Sequence, residues 1–321
     1  MRAIGWLFAL VLAFVLAAQA AQAETFPSRP IRMIVPFPAG SATDGQARLI
    51  GAHFQKVFGQ GFIVENMPGA TGAIAARTIA RAAPDGYTLM ISTISTHSAN
   101  PHLYNNPGYD PLKDFTPVAL IARAPSGMVV RTEAPYSSLK DFVAFAKANP
   151  DKLNFAYGNM GSLAGGAMLN AAAGIKTTAV SYRGTPQATT DLLAGQIDFV
   201  VMDMSPTQEH IKAGKLRLLA TTGATRLETF PNAPTMVESG YPDYVLYSWQ
   251  GVHGPAGMAP EVVATLNQAV REAVNTEEAK RFFAAYGSET GTMATAEFAD
   301  FVASELKRWE GIIKMTGLPK Q

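Results

Sequence analysis

Two α/β lobes joined by two crossing segments are the fold class this sequence predicts, on three observations. Apolar strand-like runs alternate with helical apolar spacing along the chain, which implies mostly parallel sheets covered by helices. A strand, a Gly/Ser-rich loop and a helix start follow one another twice, at Ile31 to Asp44 and again at Leu153 to Ser162. Finally, roughly 300 residues remain after the N-terminal leader, which suits two domains of ordinary size.

Residues 1–23 are set aside first. Arg2 supplies a basic start, Trp6 to Leu16 a short apolar run, and Ala21-Gln22-Ala23 the small-x-small pattern after which a signal peptidase cuts. The mature chain is therefore expected to begin at Glu24, in the periplasm. The run is short for a span of about 20 residues and lacks a basic stop. With no cysteine in the chain, a lipoprotein anchor, disulfides, thiolate metal sites and cysteine nucleophiles are excluded. The 26 basic and 25 acidic residues balance, so no electrostatic footprint for nucleic acid or an anionic membrane is present.

Taken in order, Ile31 to Val35 is a buried strand that Pro36 and Pro38 stop by removing ladder donors. Gly40 permits a tight turn, and Ser41, Thr43 and Asp44 are capping residue types before a helix whose apolar face is Ala47, Ile50, Phe54 and Val57. Gly59 is its C-cap and Phe62 to Asn66 the next strand. Met67 to Gly72 is a loop opening a second helix that runs through Ala82. After the Pro84-Asp85-Gly86 turn, Tyr87 to Ile91 is a strand, followed by a hydroxyl-rich loop, Ser92 to Pro101. The extended stretch Val118 to Arg131 then leaves the first lobe for the second.

The second lobe opens on Ser138 and Asp141, which resemble a capping box for a helix ending near Asn149-Pro150. Strands follow at Leu153 to Tyr157, Thr177 to Tyr182, Ile197 to Met202 and Lys215 to Thr221. The helices between them start after Gly158 to Ser162 and through Pro186. The chain returns through Val245 to His253, and helices near 260–274, 276–285 and 296–315 complete the first lobe. The lobes are thus residues 24–123 with 249–321, and residues 124–248, hinged around a cleft.

The strand-loop-helix units direct attention to the cleft lips. A helix N-terminus offers unpaired N–H groups and a positive dipole end, which suit a carboxylate or phosphate. The candidate ligand residues are therefore Phe37, Pro38, Ala39, Gly40, Ser41, Ala42, Thr43 and Asp44 on one lip, and Tyr157, Gly158, Asn159, Met160, Gly161 and Ser162 on the other. The same first lip would also serve simply as a capped helix with a proline-shaped loop. A bulky side chain at Gly40 is expected to fill the ligand's approach path.

Ser95, Thr96 and His97 join these candidates because open α/β sheets place ligands beyond strand carboxyl ends. His97 and His102 match no metal spacing and lack a carboxylate cluster, so no metal or cofactor is expected. Arg183, beside Gly184, has a planar fork that suits a carboxylate, or is a solvated surface arginine. Asp44 reads as a cap or loop brace, and Asp203 stays open between bracing and binding. Phe37, Tyr157 and Trp249 either stack on a ring or complete packing. Ser162 lacks the Gly-x-Ser-x-Gly elbow, and no H-E-x-x-H, Walker or dinucleotide pattern occurs, which favours binding over catalysis.

Several segments together resemble the Bug-type periplasmic solute-binding proteins of tripartite tricarboxylate transporters. They are Pro27 to Gly40 with Asp44, Glu65 to Ala70, Pro84 to Leu89, Tyr109 to Phe115, Tyr182-Arg183-Gly184, Asp191 to Asp198, Gly214 to Arg217 and Gly254 to Gly257. The resemblance covers nearly all of the mature chain. It implies a type II periplasmic-binding-protein fold and a small mono-, di- or tricarboxylate held by backbone amides of two facing loops, here Phe37 to Asp44 and Tyr157 to Ser162. It also implies delivery to a membrane permease, sometimes a role in sensing, and no catalysis; the chain itself is expected to be a monomer. A sensor kinase is the alternative partner, and a serine hydrolase using Ser162 or Ser41 the alternative activity. Many relatives carry a glycine at the position of Ser41 and a lysine at that of Arg183. With a second loop less polar after Ser162, these departures suggest a bulkier or more apolar ligand end.

Overall fold

The structure, a computed structural model, describes residues 26–285 and 287–320, so the expected leader and its cleavage site lie outside the described residues. The first sheet is built on Ile31–Val35 (β1), Phe62–Asn66 (β2) and Thr88–Thr93 (β3), with β1 paired parallel to both neighbours. It is completed by Phe115–Pro125 (β4), Tyr247–Pro255 (β10) and Glu289–Thr290 (β11), in the order β11-β4-β10-β3-β1-β2. The second sheet has the order β7-β6-β8-β5-β9. Its strands are Gly127–Arg131 (β5), Asn154–Tyr157 (β6), Thr178–Ser181 (β7), Phe199–Met202 (β8) and Leu216–Thr221 (β9).

Both sheets are mixed: four strands of each run one way, and β10 and β11 in the first and β5 in the second run against them. β10 runs antiparallel to β3 and β4, and β5 antiparallel to β8 and β9. The cause is the crossing chain itself. β4 runs into β5 with only Ser126 between them, so β5 enters the second sheet against the direction of its strand-helix-strand units, and β10 enters the first sheet likewise on the way back.

Helices Ala42–Phe58 (α1), Ala73–Ala80 (α2), Asn100–Leu103 (α3), Leu139–Ala148 (α4), Met160–Ala173 (α5), Thr185–Leu193 (α6), Gln208–Lys212 (α7), Pro260–Val274 (α8), Glu277–Ala285 (α9) and Thr295–Thr316 (α10) cover the sheets. Ala47, Ile50 and Phe54 of α1 are buried, whereas Val57 is 48% exposed because the helix end has passed the sheet edge. Gly59 ends α1 in the left-handed conformation, where only glycine avoids a Cβ clash. α2 stops at Ala80, short of Ala82. Ser138 accepts a hydrogen bond from the Asp141 N–H at the start of α4, as its spacing predicts.

Ser92 to Pro101 is not a loop. Ser92 and Thr93 finish β3, and Ser95–Ala99 forms one π-helical turn that continues into α3. Thr96 holds this turn, its hydroxyl accepting from the Thr93 N–H at 3.0 Å and donating to the Thr93 carbonyl at 3.2 Å. Such local side-chain bonds compete with an open loop, and hydroxyl-rich composition alone does not reveal them.

One hydrophobic cluster draws on both sheets. Met128, Phe155, Phe199 and α5 residues Met168 and Leu169 join Leu120, Trp249, Phe298, Val302, Trp309 and Ile312. The last four aliphatic and aromatic side chains lie on α10, so the C-terminal helix packs on the first sheet and on α5 together. Among the described residues no helix is long and apolar enough to cross a membrane.

Candidate functional site

Three helix N-termini meet at one cavity between the sheets. α1 presents Ser41, Ala42 and Thr43, α5 presents Gly158, Asn159 and Gly161, and α6 presents Thr185. β3 and the turn after it add Thr93, Ile94 and Ser95. Phe37, Asp203, Ser248 and Gln250 close the wall. The free volume is ≈ 30 Å³, about the room of a carboxylate group or a pair of waters. No lysine or arginine lines it, so its positive potential comes from helix dipoles and N–H groups.

The caps hold some first-turn N–H groups and leave others without an intrahelical acceptor, at α5 that of Gly161, since those of Gly158, Asn159, Met160 and Ser162 are engaged. Ser41 accepts from the Asp44 N–H at 3.4 Å and bonds Thr43 Oγ1 at 3.0 Å. The Ala42 and Thr43 N–H groups, in the first turn, have no intrahelical acceptor. Asn159 and Ser162 form a reciprocal capping box at α5, in which Ser162 Oγ accepts from the Gly158 and Asn159 N–H groups and donates to the Asn159 carbonyl. α6 starts at Thr185 with Pro186 behind it, which has no N–H to satisfy.

Asp44 braces the first lip from behind and does not line the cavity. Its carboxylate accepts from the Gly40 N–H at 3.1 Å, from Asn66 Nδ2 at 3.0 Å and from Arg48 Nε and Nη2, each at 3.1 Å. Burial raises its pKa, but these bonds outweigh that and hold it below the usual carboxylate range. The two lips also touch across the cleft, where the Met160 N–H donates to Ser95 Oγ at 3.0 Å. A Cβ on Gly184 would meet Pro38 Cδ at 2.8 Å, and one on Gly158 would strike the Gly184 backbone.

A second, outer cavity of ≈ 520 Å³ lies alongside. It shares Phe37 and Gly158 with the inner one and is walled by Tyr104, Tyr157, Tyr182, Arg183 and the Gly69 to Gly72 loop. Arg183, on this wall, is exposed and has no ion-pair partner among the described residues.

Measured against the sequence candidates, Phe37, Ser41, Ala42, Thr43, Ser95, Gly158, Asn159, Gly161 and Asp203 line the inner cavity, and Tyr157 and Arg183 the outer. Pro38, Ala39, Gly40, Asp44, Met160, Ser162 and Gly184 shape the lips without lining either. Thr96 and His97 turn inward. His97 is fully enclosed, its ring 4.2 Å from that of His253 and 4.7 Å from that of Phe115, and burial pushes its pKa down to about 3. Trp249 is likewise core, edge-on to Phe298 and Phe301.

Gly40 has φ +80°, and nothing lies within 4 Å of a Cβ placed there, so the backbone conformation alone already calls for glycine. Thr93, Thr185, Ser248 and Gln250 were missed as lining residues, as were Tyr104 and Gly69 to Gly72. The 69–72 loop follows β2 on the lip edge and carries the same strand-loop-helix signal. Ser248 and Gln250 had none, because β10 reaches the site only by crossing between sheets. Among the described residues no group of three or more His, Asp or Glu is placed to hold a metal ion.

This geometry agrees with the relatives. A family model described as "Tripartite tricarboxylate transporter family receptor" matches residues 46–318. The chain belongs to this family of receptors. It is 35% identical to the protein BugT of Bordetella pertussis over 298 residues, 92% of this chain and 91% of that one. A structure of an R. palustris protein with adipate is similar with a TM-score of 0.88 at 32% identity, covering 91% of this chain and 98% of that one. MatC from Rhodopseudomonas palustris with bound malate gives 0.85 at 33% identity, covering 90% and 100%. The two-lobed periplasmic-binding-protein fold and the solute-binding role of this tripartite tricarboxylate receptor are thereby shown.

Proposed function

We propose that this receptor captures a small organic carboxylate in the cleft between residues 24–123 with 249–321 and residues 124–248. The observation that carries the reading is the convergence of α1, α5 and α6 N-termini on a cavity whose wall holds no basic side chain. A carboxylate there accepts from free N–H groups at three dipole ends, each dipole contributing about 0.3–1 kcal/mol and each charge-assisted hydrogen bond about 1.5–3 kcal/mol. The inner cavity has room for the carboxylate and the group next to it. The rest of the ligand therefore extends past Phe37 and Gly158 into the outer cavity, where aromatic rings and Arg183 meet its far end. The adipate and malate found with the two relatives are acids of this kind.

Binding without turnover fits the engaged hydroxyls. Ser162 Oγ is held by two N–H groups and Ser41 Oγ by the helix it caps, so neither is poised beside a base. Family membership supports a membrane permease of the tripartite type as the partner that receives the ligand, and the leader-like N-terminus supports capture in the periplasm. Titration calorimetry with C3 to C8 mono-, di- and tricarboxylates and their neutral amides tests the reading. At least one acid should bind, and its amide should bind about 100-fold more weakly or not at all. Equal binding of the amide would remove the anion cradle.

A further inference from the structure

Asp203 follows the last residue of β8 and is, among the described residues, the only charged side chain on the inner cavity wall. The residue as a whole is half-buried, yet its Oδ1 is fully enclosed and has no hydrogen-bond partner among the described residues. Two more polar atoms at this end are also unpartnered among the described residues, the Thr93 hydroxyl on the same wall and Gln46 Oε1 in the pocket that adjoins it through Ala42, Asp203, Ser248 and Gln250. Gln46 Nε2 donates to Gln250 Oε1 at 3.2 Å and Gln250 Nε2 donates to Ser248 Oγ at 2.9 Å.

The cavity therefore has two unlike sides. Helix starts supply donors, and on the facing wall the Asp203 carboxylate supplies an acceptor. An enclosed carboxylate oxygen without a donor is costly and persists where something else provides one. We propose that Asp203 reads a hydrogen-bond donor on the ligand, so that the acid held by the helix starts also bears an ammonium or hydroxyl group: an amino or hydroxy acid. This rests on the carboxylate reading above and narrows it. An unsubstituted acid would instead bring like charge against Asp203. Burial raises the Asp203 pKa to about 6 against backbone hydrogen bonds from Ser205 and Asp203 that lower it, so at pH 7.5 the ligand-free side chain is ionised and a second carboxylate meets like charge.

Matched trios on one carbon skeleton test this in the full mature chain at pH 7.5: propionate, lactate and alanine; succinate, malate and aspartate; glutarate, 2-hydroxyglutarate and glutamate. In at least one trio the wild-type protein should bind a donor-bearing acid at least about tenfold tighter than the unsubstituted one. Asp203→Ala should collapse that ratio to within about threefold and leave the unsubstituted acid bound as well or better. Asp203→Asn separates the two donors, because its amide oxygen still accepts from a hydroxyl but lacks the charge an ammonium needs. Unsubstituted acids binding as tightly as their partners in every trio, or a ratio unchanged in Asp203→Ala, would overturn the proposal while the carboxylate reading stood. If no acid of the calorimetric series binds the wild-type protein, the carboxylate reading itself fails.

Discussion

Gly40 and Gly158 look alike in sequence, each preceding a helix start after a strand, and their structural demands differ. Gly40 has φ +80° with open space around its Cβ position, so Gly40→Ala should cost only the left-handed strain, about 1–2 kcal/mol of stability, and keep most ligand affinity. Gly158 has ordinary φ, but an added Cβ would strike the backbone of Gly184 and Thr185. Gly158→Ala should push the α6 start away from the cavity and weaken acid binding by tenfold or more, on the order of 1.4 kcal/mol. Calorimetry and thermal melts on the two variants check the contrast, and equal binding losses would contradict it. Asp44 shows the reverse lesson. Its cap-or-brace reading from sequence agrees with four hydrogen bonds that hold Gly40, Asn66 and Arg48 around it. Asp203 could not be read that way, because its neighbours Thr93, Ser248 and Gln250 come from other strands.

At the scale of elements, helices and their caps followed from the residues that form them. The apolar spacing in α1, the Ser138 cap of α4 and the Pro186 entry to α6 are local signals acting on local backbone. α10 is different. Its length was readable, but its double allegiance was not, since Phe298, Val302, Trp309 and Ile312 share one cluster with Leu120 and Trp249 of the first sheet and Met168 and Leu169 of α5. Trp309 is fully buried. Trp309→Ala should therefore cost about 3–5 kcal/mol by urea denaturation. A loss under 1 kcal/mol would show that α10 is a peripheral strap rather than part of the shared core. Ser95–Ala99 was misread for a related reason, because a hydroxyl-rich segment with its own internal hydrogen bonds folds into a helical turn and goes inside.

For the whole molecule, global stability should depend on pH through a histidine pair. His97 and His253 are both enclosed between β3, β10 and α10, with rings 4.2 Å apart and His253 Nδ1 2.6 Å from Ser92 Oγ. Burial lowers both pKa values, that of His97 to about 3, and the neighbouring ring lowers His253 further. The unfolded chain takes up protons below about pH 6.5 while the folded one does not. The stabilisation is thus complete above that pH and is lost as pH falls towards 3, at up to about 2.7 kcal/mol per pH unit for two groups. Melts from pH 8 to pH 4.5 should show Tm falling steeply below pH 6.5, and less steeply in His253→Gln. Equal slopes in the two proteins would mean the pair does not govern acid stability.

What the sequence by itself determined was whatever depends on neighbours along the chain: the strand-loop-helix units, their caps, the alternation that makes two α/β lobes, and the helix starts that make an anion cradle. Those signals persist because a capping side chain or a turn glycine acts within about four residues of itself. Only the tertiary structure decided which way the crossing strands run, which cap residues line the cavity and which brace it, and that His97 belongs to the core. It alone brought a third helix start and the β10 side chains to the site and left Asp203 with an unpartnered oxygen. Each of these depends on groups far apart in sequence meeting across two sheets, and no local pattern of residues carries that distance.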